Sequence, residues 1–221
     1  MFSVALDGPA GAGKSTIAKK AAEKLGFIYI DTGAMYRTIG LACIKSGTDL
    51  TDAQAVVGML PSIKLRLAFL DGEQHIFLGD EDVSSLIRTE QVSMAASSVS
   101  SIPQVRSFLL ELQRGFAKTD NIIMDGRDIG TVVLPDANVK IFLTASPEAR
   151  ARRRTLQLEE KGEKADYEQI LSDIIKRDYN DSHRETAPLR PAEDSILVDT
   201  TELTLEQSIA KVTEVIGERL K

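Results

Sequence analysis

Gly8-Pro9-Ala10-Gly11-Ala12-Gly13-Lys14-Ser15-Thr16 satisfies the pattern G-x-x-x-x-G-K-[ST] at every fixed position, directly after the apolar run 2–6. A glycine-rich turn lets successive backbone N–H groups face inward around a phosphate chain, because glycine accepts left-handed dihedrals. Lys14 is placed to reach the terminal phosphates, the Ser15 hydroxyl suits magnesium, and the helix that should follow turns the positive end of its dipole toward the anion. The strand-like segment before the loop and the amphipathic segment 14–25 after it supply the required context. The chemistry on offer is binding of a nucleotide through its phosphates.

Other groups sit where such a site needs them. Asp31-Thr32-Gly33 ends the second apolar run, at the strand edge where open α/β sheets collect ligands. Asp31 suits magnesium or its waters, Thr32 a hydrogen bond to a second substrate, and Arg37 lies one helical turn further on. As a helix cap, Asp31 or Thr32 fits the local sequence equally well. Asp125-Gly126-Arg127-Asp128 follows a third apolar run; Asp125 suits the magnesium shell through water, and Arg127 offers a fork matched to phosphate. Arg150, Arg153 and Arg154 share one predicted helix face and read as a lid over a transferring phosphoryl group, with Arg152 beside them. Arg177, Asp181 and Arg184, at i, i+4 and i+7, read either as a charge ladder on a helix or as a wall of the site.

The elements that must carry these residues alternate. Strands are predicted at 2–6, 27–30, 122–124, 139–143 and 196–198, with helices over 14–25, 34–46, 104–116, 147–161 and 167–181 and a last one from Thr204, where Gln207 completes a capping box. That order predicts an α/β fold, three layers around a five-stranded parallel sheet. One stretch breaks the rhythm. Residues 64–69 alternate polar with apolar, Asp71-Gly72 reads as a hairpin turn, and 74–78 as the return strand. Residues 60–96 are therefore expected to form a small antiparallel insertion, and 148–170 a helical lid, within one domain over 1–221.

Composition bounds the partners. The chain has 221 residues, 43% hydrophobic and 27% charged, with a net charge of −6, which argues against a general nucleic-acid binder. A single cysteine, Cys43, excludes an internal disulfide, and the two histidines, His75 and His183, make no histidine-rich metal site. The first residues carry no basic lead, and no apolar run approaches the roughly 20 residues that span a bilayer, so a cytoplasmic monomer acting on small molecules is expected.

With these pieces in hand, the chain resembles the bacterial cytidylate kinases, a nucleoside monophosphate kinase family. The likeness rests on 7–16, on Asp31-Thr32-Gly33-Ala34-Met35-Tyr36-Arg37, on Asp125-Gly126-Arg127-Asp128-Ile129-Gly130-Thr131-Val132-Val133 and on Val139-Lys140-Ile141-Phe142-Leu143, with supporting phrases at 87–90, 95–97, 157–162 and 184–189. The phosphate loop is common to many families; the Asp-Gly-Arg-Asp phrase and the insertion are more specific. The resemblance implies phosphorylation of CMP and dCMP by ATP with Mg2+. It implies ATP on Gly8, Pro9, Ala10, Gly11, Ala12, Gly13, Lys14, Ser15 and Thr16. It implies Ser97, Arg106 and Asp128 on the cytosine, Thr32 near the monophosphate, Arg37, Arg127 and Arg184 on its phosphate, and Arg177 and Asp181 on the sugar. Lys14, Arg127, Arg153, Arg154 and Arg184 would serve the transfer itself, and 60–96 would belong to the monophosphate-binding region.

The chemistry of cytosine agrees. Its amino group donates where a carboxylate such as Asp128 accepts, and its ring nitrogen and carbonyl accept where Arg106 donates. Uracil presents a carbonyl to that carboxylate and is disfavoured. The acceptor oxygen belongs to a phosphate whose second pKa is about 6, so no general base is required. Two other readings stay open on the residues alone: a kinase acting on a hydroxyl with Asp31 as base, and a nucleotide-dependent switch without transfer.

Overall fold

The computed structural model describes residues 1–70 and 72–220. Its first half runs β1 (Ser3–Asp7), α1 (Lys14–Leu25), β2 (Ile28–Asp31), α2 (Thr32–Ser46), α3 (Ala53–Met59), β3 (Leu65–Leu70), β4 (Glu73–Leu78), β5 (Glu81–Asp82), α4 (Glu90–Ser100) and α5 (Pro103–Thr119). The second half runs β6 (Ile122–Gly126), β7 (Val139–Thr144), α6 (Pro147–Glu159), α7 (Tyr167–His183), β8 (Ile196–Asp199) and α8 (Leu205–Gly217). The chain divides into two compact units, Met1–Tyr29 with Thr119–Lys221, and Ile30–Lys118.

The first unit is built on the expected five-stranded parallel sheet, in the order β2-β6-β1-β7-β8. The central strand β1 pairs with β6 from Ser3↔Ile122 to Asp7↔Gly126 and with β7 from Val4↔Val139 to Asp7↔Phe142. Side chains alternate across a strand, so Val4, Leu6, Ile123, Val139, Ile141 and Leu143 share one face. They pack into one core with Ile17, Ala18 and Ala21 of α1 and Val212, Val215 and Ile216 of α8. Each large aliphatic side chain removed from water there stabilises the fold by about 1.5–3 kcal/mol. That core fixes the strand edge from which the phosphate loop and the 127–133 loop emerge.

The second unit pairs α2 with α4 and carries the antiparallel sheet β3-β4-β5. β3 lies one residue later than predicted and β4 starts one residue earlier, the two pairing from Leu65↔Leu78 to Leu70↔Glu73. The short strand β5 and the helices α3 and α4 are additions to the predicted elements. Of the predicted turn, Asp71 lies outside the described residues; Gly72 has φ 78°. Gly40 lets α2 and α4 approach closely, since a Cβ there would lie 2.9 Å from the Ala95 Cβ and 3.0 Å from the Ala96 nitrogen.

Helix ends follow their caps. α2 starts earlier than predicted because Asp31 accepts from the Ala34 N–H. Thr204 and Gln207 form the expected capping box at α8. α7 ends at His183, so Arg184 is the residue that leaves the helix, in extended conformation, rather than a member of its last turn; this corrects the i, i+4, i+7 stripe.

Gly40→Val should destabilise the protein by about 2–3 kcal/mol through overpacking of α2 on α4, read as a lowered urea midpoint with an unchanged slope. Wild-type stability in that variant would show that the two helices can separate without cost.

Candidate active site

Six helices, α2, α3, α4, α6, α7 and α8, begin on a side chain that accepts from a first-turn N–H. α1 begins on Gly13, without a side-chain cap. Its first-turn amides are left for an acceptor from outside, which is how helix N-termini hold anions. Gly8 packs the start of the loop against β7: with φ 151°, its Cβ would fall 1.9 Å from the Leu143 carbonyl oxygen. Lys14, 7% exposed, folds back over the loop and donates to the Gly8 and Pro9 carbonyls, each at 2.8 Å. Burial and then the Arg127 charge push its ammonium down to about 7, against the pull of Asp125, Asp7 and Asp181.

Ser15 donates to Asp125 Oδ2 at 2.8 Å. A hydroxyl and a carboxylate are hard oxygen donors of the kind magnesium takes, and no group of three or more His, Cys, Asp or Glu forms a metal cage among the described residues. The donor set therefore fits Mg2+, which binds through one or two protein oxygens and completes its shell with phosphate and water.

The 127–133 loop is anchored by a residue with no assigned part in the sequence reading. Asp7 ends β1, nearly fully buried, and accepts from the N–H groups of Ile129 and Gly130, both at 2.7 Å. Burial raises its carboxyl to about 6 even though those two hydrogen bonds oppose the shift. Its signal in sequence is a charge closing an otherwise apolar run. The loop it holds winds Ile129–Val133 into one wide helical turn and fixes Asp128 at its start.

Arg127 Nε donates to Asp181 Oδ2 at 2.9 Å, and Arg184 Nη2 lies 3.6 Å from Asp128 Oδ1. Burial of Asp181 works to raise its pKa, but Arg127, Arg177 and Arg184 outweigh it and the carboxyl ends below the ordinary range. Four of the residues expected on CMP thus meet in two pairs, each a half-buried arginine with a buried carboxylate, with the charge of Arg177 alongside. Arg184 Nε also donates to the Ala187 carbonyl at 2.7 Å, and Ala187 has φ 49°, a left-handed conformation costing a non-glycine residue about 1 kcal/mol or more.

Arg150, Arg153 and Arg154 of α6 diverge instead of forming one phosphate-facing row. Arg150, 2% exposed, bonds Asp178 of α7 and the carbonyls of Ala145 and Ala10. Arg153 donates to Thr200, and Arg154 to Gln157 at 2.8 Å. The i, i+3, i+4 spacing puts their Cα atoms on one face, but a long side chain goes to its nearest acceptor.

In the second unit Asp31 uses both carboxylate oxygens, accepting from Ala34 N at 2.9 Å and from Arg37 Nη2 at 2.7 Å. Gln74 of β4 accepts from the Asp31 N–H at 2.8 Å, tying the antiparallel sheet to that residue. Arg37 Nε is buried without a hydrogen-bond partner among the described residues, so one of its donors awaits an acceptor. Thr32 opens α2 and is 3% exposed. Arg106 of α5 donates to the Ser100 carbonyl at 3.1 Å, with its guanidinium 5.4 Å from the Tyr36 ring centre. Ser97 lies half-buried on α4.

Known proteins resemble this chain over nearly its whole length. The cytidylate kinase of Caldicellulosiruptor bescii is 51% identical over 220 residues, covering 100% of this chain and 97% of its own. That of Carboxydothermus hydrogenoformans is 49% identical over 216 residues, covering 98% and 97%. Among solved structures, an uncharacterized protein from Eubacterium ventriosum aligns with a TM-score of 0.52 at 11% identity, over 98% of this chain and 99% of that one, a likeness of fold alone. No helix among the described residues is long and apolar enough to cross a membrane. A family model described as cytidylate kinase matches residues 4–218, and with half the residues shared across whole chains this protein belongs to the cytidylate kinase family.

Proposed function

We propose that the protein phosphorylates CMP and dCMP with ATP and Mg2+, forming CDP or dCDP and ADP by direct in-line transfer. The observation that carries this reading is electrostatic. Lys14 of the phosphate loop and Arg127 of the 127–133 loop are close enough that one depresses the other's pKa. Transfer between two phosphates needs a cation on the donor side and another on the acceptor side, because both reactants are polyanions.

In this reading the loop residues Gly8, Pro9, Ala10, Gly11, Ala12, Gly13, Lys14, Ser15 and Thr16 hold the ATP phosphates, the N–H groups coming from residues other than Pro9, and Lys14 exchanges its loop carbonyls for the terminal phosphates. Ser15 and, through water, Asp125 hold Mg2+, which when bound neutralises the phosphate charge that develops during transfer. Asp31, its oxygens already used by Ala34 and Arg37, supports the helix more than the metal. Arg37, Arg127 and Arg184 hold the CMP phosphate with Thr32 beside it. Arg177 and Asp181 hold the sugar, and Asp128, Arg106 and Ser97 read the base. An oxygen of the CMP phosphate forms a bond to the γ-phosphorus of ATP while the bond to the β,γ-bridging oxygen breaks, and ADP leaves. No proton has to be removed by the protein. The engagement of Asp31 also counts against a hydroxyl acceptor, which would need a free base.

Residues 60–96 are assigned to the CMP-binding region and 148–170 to a lid that carries Arg153 and Arg154 to the transferring group and keeps water out, both parts of a kinase domain over 1–221. The protein is taken to act in the cytoplasm as a monomer on free nucleotides, apart from nucleic acid and membrane.

ADP release from ATP and Mg2+ should accelerate strongly with CMP and dCMP and far less with UMP; no pyrimidine monophosphate converted would overturn the assignment. Asp128→Ala should lower the CMP-over-UMP preference about tenfold or more while ATP affinity holds, whereas unchanged selectivity would remove Asp128 from base recognition. Lys14 supplies a third check. Its ammonium sits at about 7 before ligand, and bound phosphate must raise it, so ATP binding near neutral pH takes up part of a proton. Calorimetry in buffers of differing ionisation enthalpy should detect that uptake, and Lys14→Arg, which stays charged, should abolish it.

A further inference from the structure

We propose that Arg150 is a positioning residue for the transfer, setting the phosphate loop against the helix that carries the acceptor-side charges. The inference rests on the phosphate-loop reading above. One planar guanidinium spends four of its five donors at once: Nε on the Ala145 carbonyl at 2.9 Å, Nη1 on the Ala10 carbonyl at 2.9 Å and Asp178 Oδ1 at 3.0 Å, and Nη2 on Asp178 Oδ2 at 2.5 Å. Ala145 roots α6 at the end of β7, Ala10 is in the phosphate loop, and Asp178 is on α7. Three segments of chain are therefore referred to one rigid fork that is 2% exposed.

Two consequences follow from the bonding. The Ala10–Gly11 peptide is trans, so the Gly11 N–H points away from the carbonyl that Arg150 holds. A charged donor on that carbonyl polarises the peptide and strengthens the N–H on its far side, where the loop takes phosphate. The second consequence runs through α7. Asp178 and Asp181 are three residues apart and lie on one side of the helix, and Asp181 holds Arg127. A continuous line of bonds thus runs from the Ala10 carbonyl through Arg150 and Asp178, along one helical turn, to Asp181 and Arg127. It links the loop that holds the donor to an arginine on the acceptor side. Transfer is sensitive to that distance, because misplacement of reacting groups by 1 Å can cost about 10²-fold in rate.

The test uses the full-length protein with Arg150→Met, Arg150→Lys and Asp178→Asn. Turnover is measured with ATP, Mg2+ and CMP, and the affinities for ATP alone and CMP alone by calorimetry. Arg150→Met should lose about tenfold or more in kcat and several-fold in ATP affinity, with CMP affinity held within about twofold. Asp178→Asn should lose kcat while ATP affinity stays close to wild type, since the Ala10 bond survives. Arg150→Lys, with three donors and no fork, should recover part of what Met loses. If Arg150→Met proves unfolded, the Lys and Asn variants decide. Near wild-type kcat in the folded variants would overturn the inference, as would equal losses of ATP and CMP affinity that track a lowered Tm. A wild type that binds ATP but makes no CDP would overturn the reaction proposed above, and the split between ATP and CMP affinity would still decide the role of Arg150.

Discussion

A cation meant for phosphate has to be housed before phosphate arrives. An unpaired buried charge costs several kcal/mol, so the empty site must supply its own anions. In the first unit it does so with carboxylates: Asp181 on Arg127, Asp128 near Arg184, Asp178 on Arg150. Lys14 is treated differently and leans on two loop carbonyls, neutral partners, while burial and the Arg127 charge push its ammonium down. Neutral partners are also the easier ones to exchange. In the proposed reading the lysine that moves onto a ligand is held by dipoles, and the arginines that stay in place are held by charges.

Much of the surrounding architecture serves this arrangement. The aliphatic core shared by α1, α8 and the sheet fixes the edge from which the loops leave, and Gly8 lets the first of them pass directly against the Leu143 carbonyl. The uncapped start of α1 is the complement of the capped starts elsewhere. Six helices satisfy their first amides with their own side chains, and the helix aimed at phosphate begins on a residue that has none.

What could be read from the chain, and what could not, divides along physical lines. The sheet and its flanking helices were readable because buried strands and amphipathic helices impose periods on the sequence. The phosphate loop was readable because its backbone restricts residue type at fixed spacing. α4 was less readable because its buried stripe, Val92, Ala95, Ala96 and Val99, is short and half alanine, small enough to pack against Gly40, and β5 because two residues carry no period. Side-chain destinations were less readable still. Helical spacing groups Arg150, Arg153 and Arg154, yet each answers to an acceptor distant in sequence or, for Arg154, to Gln157 one turn away. Asp7 and Asp178 were passed over because their partners, a pair of backbone amides and a buried guanidinium, exist only once the chain has folded.

Asp7 also bears on how one carboxylate can be made selective. A base-reading group has to be held in a single orientation, since a carboxylate free to turn would accept from many donors. For Asp128, in the proposed reading, one side-chain neighbour is Arg184, whose Nη2 lies 3.6 Å from Oδ1. A further constraint comes through the backbone. Asp7 clamps the amides of the next two residues, Ile129 and Gly130, and the turn that follows leaves the Asp128 φ and ψ at −146° and 27°. Rigidity is thereby passed through the backbone from a buried acid, whose two oxygens each accept from an amide, to the residue just before those amides. The electrostatic cost of burying that clamp shows in the raised pKa of Asp7.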